Sequence, residues 1–274
     1  MQTGYSVVFL DIDGTLLNSN HQVPPGTKRF LNQLENTGVP VVLCSARYQR
    51  GVELIAKETG LHSPVVCLGG SLILSGNRSI LYDAKIETSF AVKFKHFVQD
   101  RFSNIAISIY LYGEWFTDNL SHPLVRRDTR ILQNEPLYGN LETVAQSMPQ
   151  IHKLQCVGEP SQILQIQQEA ASQFWDMDFL GSGDGYLEVM KKGVSKCEAV
   201  KFLQKHYHLQ TSEIVACGDQ FVDMEMLRYA GLGVAMGNAP IEVKAAADLV
   251  TTSNDEEGIY IALRNLPFHP PRGR

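Results

Sequence analysis

Two aspartates stand directly after an apolar segment near the start of the sequence. Val7–Leu10 is a run of four apolar residues, as expected for a buried parallel strand. The run is followed by Asp11-Ile12-Asp13-Gly14-Thr15. Open α/β sheets bind ligands at the carboxyl ends of their strands, and strand alternation would put Asp11 and Asp13 on one side. Gly14 would let the chain turn and bring backbone N–H groups toward an anion. Two carboxylates so close repel each other unless a cation intervenes, and Mg²⁺ with a phosphate is the commonest such pairing.

A second acidic pair follows another apolar segment far along the chain. Asp219 and Asp223 come after the strand-like run Ile214–Cys217, in the same order of strand and then acid. Adjacent strand ends would bring both acidic pairs to one cation. Two other interpretations stay open. The first motif is also compatible with a polar turn or an isolated calcium-like loop, and Asp223 with the first turn of a helix.

A hydroxyl group and an ammonium group complete a candidate phosphate site. Ser45 follows the apolar run Val41–Cys44, and Lys196 lies at the start of a predicted helix over residues 195–207. Each could hold a non-bridging phosphate oxygen, and the lysine could neutralise charge in the transition state. Taken singly, Ser45 is more typical of a turn and Lys196 of a solvated helix face. Their order among the aspartates favours the phosphate site.

The elements that would position these side chains indicate an α/β fold. Short apolar runs alternate with amphipathic stretches in the first third of the chain, and the same rhythm returns near the C terminus. This pattern predicts a core with a parallel sheet. The predicted strands are Val7–Leu10, Val39–Cys44, Val65–Leu68, Ile214–Cys217, Gly233–Ala235 and Leu249–Thr251. The predicted helical segments are Pro24–Glu35, Tyr48–Thr59, Asp223–Tyr229 and Ile241–Ala247.

The middle of the chain has a different sequence pattern, with longer and more polar predicted helices. We interpret residues 84–187 as a second, inserted α/β domain, and residues 1–83 and 188–274 as the two parts of the core. The proline-rich residues 267–274 predict a frayed tail. The segments that suggest the insertion are helical Phe90–Arg101 and Gln162–Phe174 and strand-like Ile105–Leu111 and His152–Val157.

The composition is that of an ordinary globular protein. Of the 274 residues, 44% are hydrophobic and 19% are charged, which is enough for a large core and leaves little room for disorder. A net charge of −5 without a Lys/Arg run argues against a nucleic-acid partner. The chain has no apolar stretch of about 18 residues, so no membrane partner is expected. Five cysteines without a Cys-x-x-Cys pair indicate a reducing compartment, and we expect a cytoplasmic protein.

Five ordered motifs carry a specific resemblance to a known family. They are Asp11-Ile12-Asp13-Gly14-Thr15-Leu16, Ser45-Ala46-Arg47, Lys191-Lys192-Gly193-Val194-Ser195-Lys196, Gly218-Asp219-Gln220-Phe221-Val222-Asp223-Met224-Glu225-Met226-Leu227 and Ala235-Met236-Gly237-Asn238-Ala239. Over nearly the whole chain the sequence resembles the haloacid dehalogenase-like hydrolases, and within them the Cof-type sugar-phosphate phosphatases with a large α/β cap. The resemblance implies a Rossmann-like parallel-sheet core with an inserted α/β cap.

The resemblance also implies a Mg²⁺-dependent phosphatase that acts on a small phosphate monoester. Asp11 would attack phosphorus to give an aspartyl-phosphate, and Asp13 would protonate the leaving oxygen and later activate water. Mg²⁺ would be held by the Asp11 carboxylate, the Asp13 backbone carbonyl and Asp219, with Asp223 positioning its waters. The groups that would bind the phosphoryl group are Ser45, Lys196 and the backbone of Gly14.

The sequence departs from the family pattern at three places. Gly69-Gly70-Ser71 stands where Asn-Gly-Ala is usual, Ala46 replaces a glycine, and Val222 replaces an asparagine. Each replaced asparagine removes an amide donor and acceptor near the site. We therefore expect phosphate affinity, rate or substrate range to differ from those of relatives.

Three residues are candidates for choosing the substrate. Arg47 and Asn238 belong to the motifs, and Arg126 lies in the inserted domain. Other side chains of the insertion could contact a leaving group, although such residues more often lie on the surface or in the core without contacting a substrate. These are His122, Arg127, Arg130, Tyr110 and Trp115. No spacing in the insertion identifies the substrate, and the oligomeric state is not readable from the sequence.

Three functional hypotheses follow. The first is a Mg²⁺-dependent phosphatase whose cap closes over the site and excludes water. The second is a catalytically weak ligand-binding or regulatory protein on the same fold, motivated by Val222 and Gly69. The third is a phosphotransferase or mutase that passes the phosphoryl group to a sugar. Turnover that a chelator abolishes separates the first from the second, and product analysis identifies the third.

Overall fold

The chain forms two compact units, one inserted into the sequence of the other. The computed structural model describes residues 4–132 and 134–271. The first unit comprises the residues up to Arg47, Val52–Leu81 and the residues from Ser195 onward. The second unit comprises Tyr48–Gly51 and Tyr82–Val194. Asp11, Asp219, Asp223 and Lys196 therefore belong to one folded body, although the insertion separates them in sequence.

Within the described residues the chain forms sixteen strands and ten α-helices. The strands are β1 (Val7–Leu10), β2 (Val41–Cys44), β3 (Val65–Cys67), β4 (Leu72–Leu74), β5 (Ile80–Asp83), β6 (Ile86–Glu87), β7 (Ala106–Leu111), β8 (Glu114–Thr117), β9 (Leu137–Tyr138), β10 (Gln150–Ile151), β11 (Lys153–Val157), β12 (Met177–Gly181), β13 (Tyr186–Lys191), β14 (Ile214–Gly218), β15 (Leu232–Ala235) and β16 (Leu249–Val250). The α-helices are α1 (Pro25–Asn36), α2 (Gln49–Thr59), α3 (Thr88–Gln99), α4 (Pro123–Leu132), α5 (Leu141–Ser147), α6 (Pro160–Gln173), α7 (Lys196–His206), α8 (Met224–Tyr229), α9 (Ile241–Lys244) and α10 (Gly258–Leu263). In this described part, none of the helices combines the length and the apolar character that crossing a membrane requires.

An eight-stranded sheet forms the base of the first unit. Its strand order is β16-β15-β14-β1-β2-β3-β4-β5. The central strands run parallel, so that Leu10 at the end of β1 lies opposite Cys217 of β14 and Leu43 of β2. All four residues of β1 are fully buried, as expected for a strand with both faces covered. The predicted α/β fold with a parallel-sheet core is confirmed.

Helix α7 brings the site lysine to this sheet. Ser195 caps the helix by accepting the backbone N–H of Glu198 at 3.2 Å, a common way for a serine to satisfy a free helical donor. Val200 and Leu203 of the same helix are buried in the apolar core of the first unit. The cap and the buried face together place Lys196 in the first helical turn.

A six-stranded sheet dominates the second unit. Its order is β12-β13-β11-β7-β8-β9, and β6 and β10 form a small antiparallel pair. On β11, Leu154 and Cys156 belong to the apolar cluster that also contains Phe94 of α3 and Ile166 of α6. The alternate residue Lys153 is buried and forms an ion pair with Glu188 at 2.9 Å. Strand alternation thus separates an apolar layer from a buried polar layer.

Two boundaries in the structure differ from those expected. The boundary predicted between residues 187 and 188 falls inside β13, because the ladder of β13 with β11 continues to the pair Lys153 and Met190. The predicted frayed tail is attached as far as His269, because Tyr5 exchanges backbone hydrogen bonds with Pro267 and His269 at 2.8 and 2.9 Å. Residues 272–274 of that prediction lie outside the described residues.

Candidate active site

Four of the predicted site residues meet at the carboxyl edge of the core sheet. Asp11 follows β1, Asp219 follows β14, and Asp223 ends a short 3-10 helix at Phe221–Asp223. Lys196 is the first residue of α7. Each of the four is at most 5% exposed. Because these three acids and the lysine have so little contact with solvent, they must neutralise one another's charges.

Lys196 joins two of these carboxylates. Its Nζ lies 2.5 Å from Oδ1 of Asp11 and 2.6 Å from Oδ1 of Asp223. The other oxygen of Asp223 accepts the backbone N–H groups of Asp219 at 3.1 Å and Gln220 at 3.0 Å. Asp223 therefore stabilises the start of the 3-10 helix, as one interpretation of the sequence expected, and also holds the lysine.

The carboxylate of Asp219 is oriented by its neighbours. Its Oδ1 accepts the Thr15 hydroxyl at 2.9 Å, and its Oδ2 accepts the Gln220 amide at 3.0 Å. Gly14 has a φ of 82°, in the left-handed region, and a Cβ at this position would collide with the Asp219 carboxylate. A glycine is therefore required for the loop after β1 to approach Asp219 so closely.

The acidic cluster has the donor set of a site for a hard divalent cation. One oxygen from each of Asp11, Asp219 and Asp223 lies within 4.8 Å of the others. When ionised, these three carboxylates face one ammonium group, so two negative charges remain in excess. Carboxylate oxygens are the ligands that Mg²⁺ prefers, and a divalent cation would balance that excess. The residues present fit such an ion.

Burial sets the protonation behaviour of the cluster. It raises the pKa of Asp11 well above the usual range, although Lys196 opposes the shift. Burial also raises the pKa of Asp219 to about 6, against the effect of the Thr15 hydrogen bond. Burial lowers the pKa of Lys196, but the charges of Asp11 and Asp223 outweigh it and the pKa is raised. The lysine is therefore held in its charged form, and full ionisation of the acids requires further positive charge.

Asp13 is held by a different cation. The Arg47 Nε lies 2.7 Å from Oδ2 of Asp13, and Nη2 lies 2.5 Å from Oδ1, a bidentate ion pair. The Asp13 side chain is 46% exposed, whereas that of Arg47 is 10% exposed. Strand alternation, the basis for expecting Asp11 and Asp13 on one side, does not apply because β1 ends at Leu10. The two carboxylates have separate partners.

Ser45 is buried and hydrogen-bonded to the backbone of Arg47. Its hydroxyl accepts the backbone N–H of Arg47 at 3.1 Å, and its carbonyl accepts the N–H of Gly69 at 2.9 Å. Gly69 has a φ of 64°, a conformation that both glycine and asparagine adopt readily. The replacement at Gly69 therefore preserves the turn while removing an amide. Nothing in the structure explains the valine at position 222.

The three specificity candidates have different surroundings. Arg47 binds Asp13, and Asn238 donates from Nδ2 to the Gly14 carbonyl at 2.9 Å. Arg126 is an exposed residue of α4 in the second unit. Sequence reasoning missed three residues that hydrogen-bond around the site, although two of them lie inside the quoted motifs. These residues are Thr15, Gln220 and Asn254.

The fold and this site define an α/β protein with a cluster of acids at the carboxyl ends of parallel strands. The sequence profile of the haloacid dehalogenase-like hydrolases matches residues 8–263, and the chain belongs to this family. A crystal structure of a haloacid dehalogenase-like hydrolase from Bacteroides thetaiotaomicron has a TM-score of 0.86 at 25% identity, covering 95% of this chain and 98% of that one. The resemblance stated from the motifs is confirmed.

Proteins of known sequence and named activity agree with the family. A Haemophilus influenzae protein named "Putative phosphatase" is 33% identical over 259 residues, which are 94% of this chain and 97% of that protein. A Yersinia pestis protein named "HMP-PP phosphatase" is 26% identical over 251 residues, covering 88% of this chain and 86% of that protein. Together with the family, these relationships make the chain a phosphoric monoester hydrolase.

Proposed function

We propose that the protein is a Mg²⁺-dependent phosphatase that hydrolyses a small phosphorylated metabolite through an aspartyl-phosphate on Asp11. The observation that carries this proposal is the setting of Asp11. Its carboxylate is buried at the end of β1, bound to Lys196, and within 4.8 Å of oxygens of Asp219 and Asp223. A carboxylate beside a fixed ammonium group and further acids suits covalent catalysis on a phosphoryl group.

The metal part of the proposal assigns a role to each acid. The Asp11 and Asp219 carboxylates and the Asp13 backbone carbonyl would hold Mg²⁺, and Asp223 would orient its waters. When bound, the ion would neutralise negative charge on the phosphoryl oxygens. The excess of carboxylates over ammonium groups in the buried cluster supports this assignment.

In the first step, an oxygen of Asp11 forms a bond to phosphorus while the bond from phosphorus to the leaving oxygen breaks. The leaving oxygen keeps the electron pair of that bond and takes a proton from Asp13. Both oxygens of Asp13 accept one hydrogen bond from Arg47, and each keeps a second lone pair that can hold the proton. Lys196 and the Ser45 hydroxyl would hold the transferred oxygens.

In the second step, water attacks the phosphorus of the aspartyl-phosphate. Asp13 takes a proton from this water, the bond from phosphorus to Asp11 breaks, and inorganic phosphate leaves. Asp11 returns as a carboxylate and Asp13 as an acid, so the cycle balances. Lys196 is charged at the start of the cycle, because the carboxylates of Asp11 and Asp223 raise its pKa.

The substrate class and the compartment are proposed more broadly. Relatives named as phosphatases support a phosphate ester as the substrate. The five cysteines are buried free thiols, which supports a reducing compartment such as the cytoplasm.

A panel of phosphorylated metabolites tests the proposal. We expect inorganic phosphate to be released from at least one small ester, with Mg²⁺ required and a chelator abolishing the release. Release that continues unchanged in a chelator would contradict the metal assignment. Binding without release would favour the weak ligand-binding protein, and a phosphorylated acceptor among the products would favour a phosphotransferase.

A further inference from the structure

One asparagine connects three loops at the edge of the proposed cation site. Asn238 follows β15, the strand next to β14 in the core sheet. Its Nδ2 donates to the Gly14 carbonyl at 2.9 Å and lies 3.5 Å from Oδ2 of Asp219. Its Oδ1 accepts the backbone N–H of Asn254 at 3.1 Å. Both ends of the amide are therefore engaged with the protein.

The loop that carries Asn238 is itself fixed. The backbone N–H of Gly237 donates to the Thr252 carbonyl at 3.0 Å. On the other side, the Asn254 side chain donates to the Leu17 carbonyl at 2.8 Å and is 8% exposed. The backbone around Asn238 is thus held in place. Little conformational entropy is therefore lost when its side-chain amide binds Gly14.

The hydrogen bond from Asn238 to the Gly14 carbonyl also influences Asp219, because Gly14 and Thr15 share one peptide plane. The Gly14 carbonyl and the Thr15 N–H belong to the same planar peptide, so the direction of one determines that of the other. The Thr15 hydroxyl in turn donates to Oδ1 of Asp219 at 2.9 Å. The direct approach of Asn238 to Asp219, at 3.5 Å, is too long to be a strong hydrogen bond. The main effect of Asn238 on Asp219 therefore passes through Gly14 and Thr15.

We infer that Asn238 is a positioning residue of the cation site and not a residue that chooses the substrate. This inference rests on the proposed function, because it assigns a role at the same site. Asn238 holds the Gly14 peptide, and the Gly14 peptide keeps the Thr15 hydroxyl on the Asp219 carboxylate. Loss of such an outer hydrogen bond typically weakens metal binding by about 10- to 100-fold.

Two variants of Asn238 and a matched control test the inference. Asn238→Ala removes the amide, and Asn238→Leu removes it while keeping a side chain of similar size. Asn140→Ala is the control, because it removes an asparagine side-chain hydrogen bond of the second unit, the cap of α5 in which Asn140 Oδ1 accepts the backbone N–H of Glu142 at 2.9 Å. The first measurement is Mg²⁺ affinity without substrate, from the rise of the melting temperature with Mg²⁺ concentration. The second is KM at saturating Mg²⁺.

The inference predicts a Mg²⁺ dissociation constant about 10-fold higher in both Asn238 variants, with KM at saturating Mg²⁺ unchanged. Asn140→Ala should melt at a lower temperature in a chelator, because a helix cap is lost, but bind Mg²⁺ as the wild type does. Wild-type Mg²⁺ affinity in the Asn238 variants overturns the inference, whether KM rises, as for a substrate contact, or only the melting temperature falls. A wild-type protein that neither binds Mg²⁺ nor needs it for turnover overturns the proposed function, and the inference with it.

Discussion

Lys196→Met removes an ammonium group that lies between two buried carboxylates. Nζ of Lys196 contacts Asp11 and Asp223, and none of the three side chains is more than 7% exposed. Breaking a buried ion pair by deleting one partner leaves an uncompensated charge and costs about 3–5 kcal/mol. Methionine keeps most of the side-chain volume, so the loss reports the charge and its hydrogen bonds.

The size of the effect can be expressed as a melting temperature. For a domain of about 150–250 residues, 1 kcal/mol shifts the melting temperature by about 2–4 °C. A loss of about 3–5 kcal/mol therefore predicts a fall of about 6–20 °C for the first unit when a chelator removes divalent cations. Circular dichroism or scanning fluorimetry measures this fall without any assay of activity.

Lys201→Met is the matched control on the same helix. Lys201 is partly exposed and contacts Glu198 at 2.6 Å, a surface ion pair of the kind that contributes little to stability. We expect this control to melt close to the wild type. A Lys196→Met protein that also melts with the wild type in a chelator would refute the view that Lys196 neutralises the buried acids.

Three further substitutions probe the site and the second unit. Asp13→Asn should slow phosphate release by about 10²- to 10⁴-fold, because the side chain is the proposed acid and base. Mg²⁺ should still raise the melting temperature of this variant, because only the backbone carbonyl of residue 13 is proposed to touch the ion. A melting temperature that no longer rises with Mg²⁺ would contradict the assignment. Gly14→Ala should weaken Mg²⁺ binding, because the new Cβ would collide with the Asp219 carboxylate. Unchanged Mg²⁺ affinity would contradict the close approach of the Gly14 loop to Asp219. His152 is buried and its Nε2 lies 2.7 Å from Oδ1 of Asp83. Burial lowers the pKa of His152 although Asp83 opposes the shift, so the unfolded chain takes up the proton more readily. The free energy of unfolding should therefore fall as the pH drops below about 6.5. In urea unfolding, His152→Asn should make this free energy depend less on pH. An unchanged pH dependence in the variant would mean that other groups cause it.

The core elements could be predicted because their sequences contain their own signals. Val7–Leu10 is a buried parallel strand at the bounds expected, and α1 starts at Pro25, where a proline costs the helix no hydrogen bond. The acids and Lys196 stand directly after strands or at a helix start. The parallel order of those elements then brings the groups together.

The second unit was less readable, because its strands carry mixed patterns. On β11 the buried face includes Lys153, whose partner Glu188 lies on β13. Neither residue has a local signal that announces a buried ion pair. The same holds for the six residues of β13, where the expected boundary fell, since only pairing with β11 and β12 identifies them as a strand of this unit.

Two contacts at the site were also beyond local reasoning. The bidentate pair of Arg47 with Asp13 joins residues 34 positions apart, and the bond from Asn238 to Gly14 joins residues 224 positions apart. Each depends on how the loops at neighbouring strand ends approach one another. Motif membership placed Arg47 and Asn238 near the site, but it did not distinguish a substrate contact from a bond that positions another residue.

Trapping the phosphorylated enzyme tests the central claim most directly. Protein is mixed with Mg²⁺ and a turned-over ester, quenched in acid during turnover, digested and analysed by mass spectrometry, with Asp11→Asn as the control. The account predicts a phosphoryl group on Asp11 of the wild type and neither phosphoenzyme nor turnover in Asp11→Asn. Full turnover by Asp11→Asn, or a phosphoryl group on another residue, would contradict it.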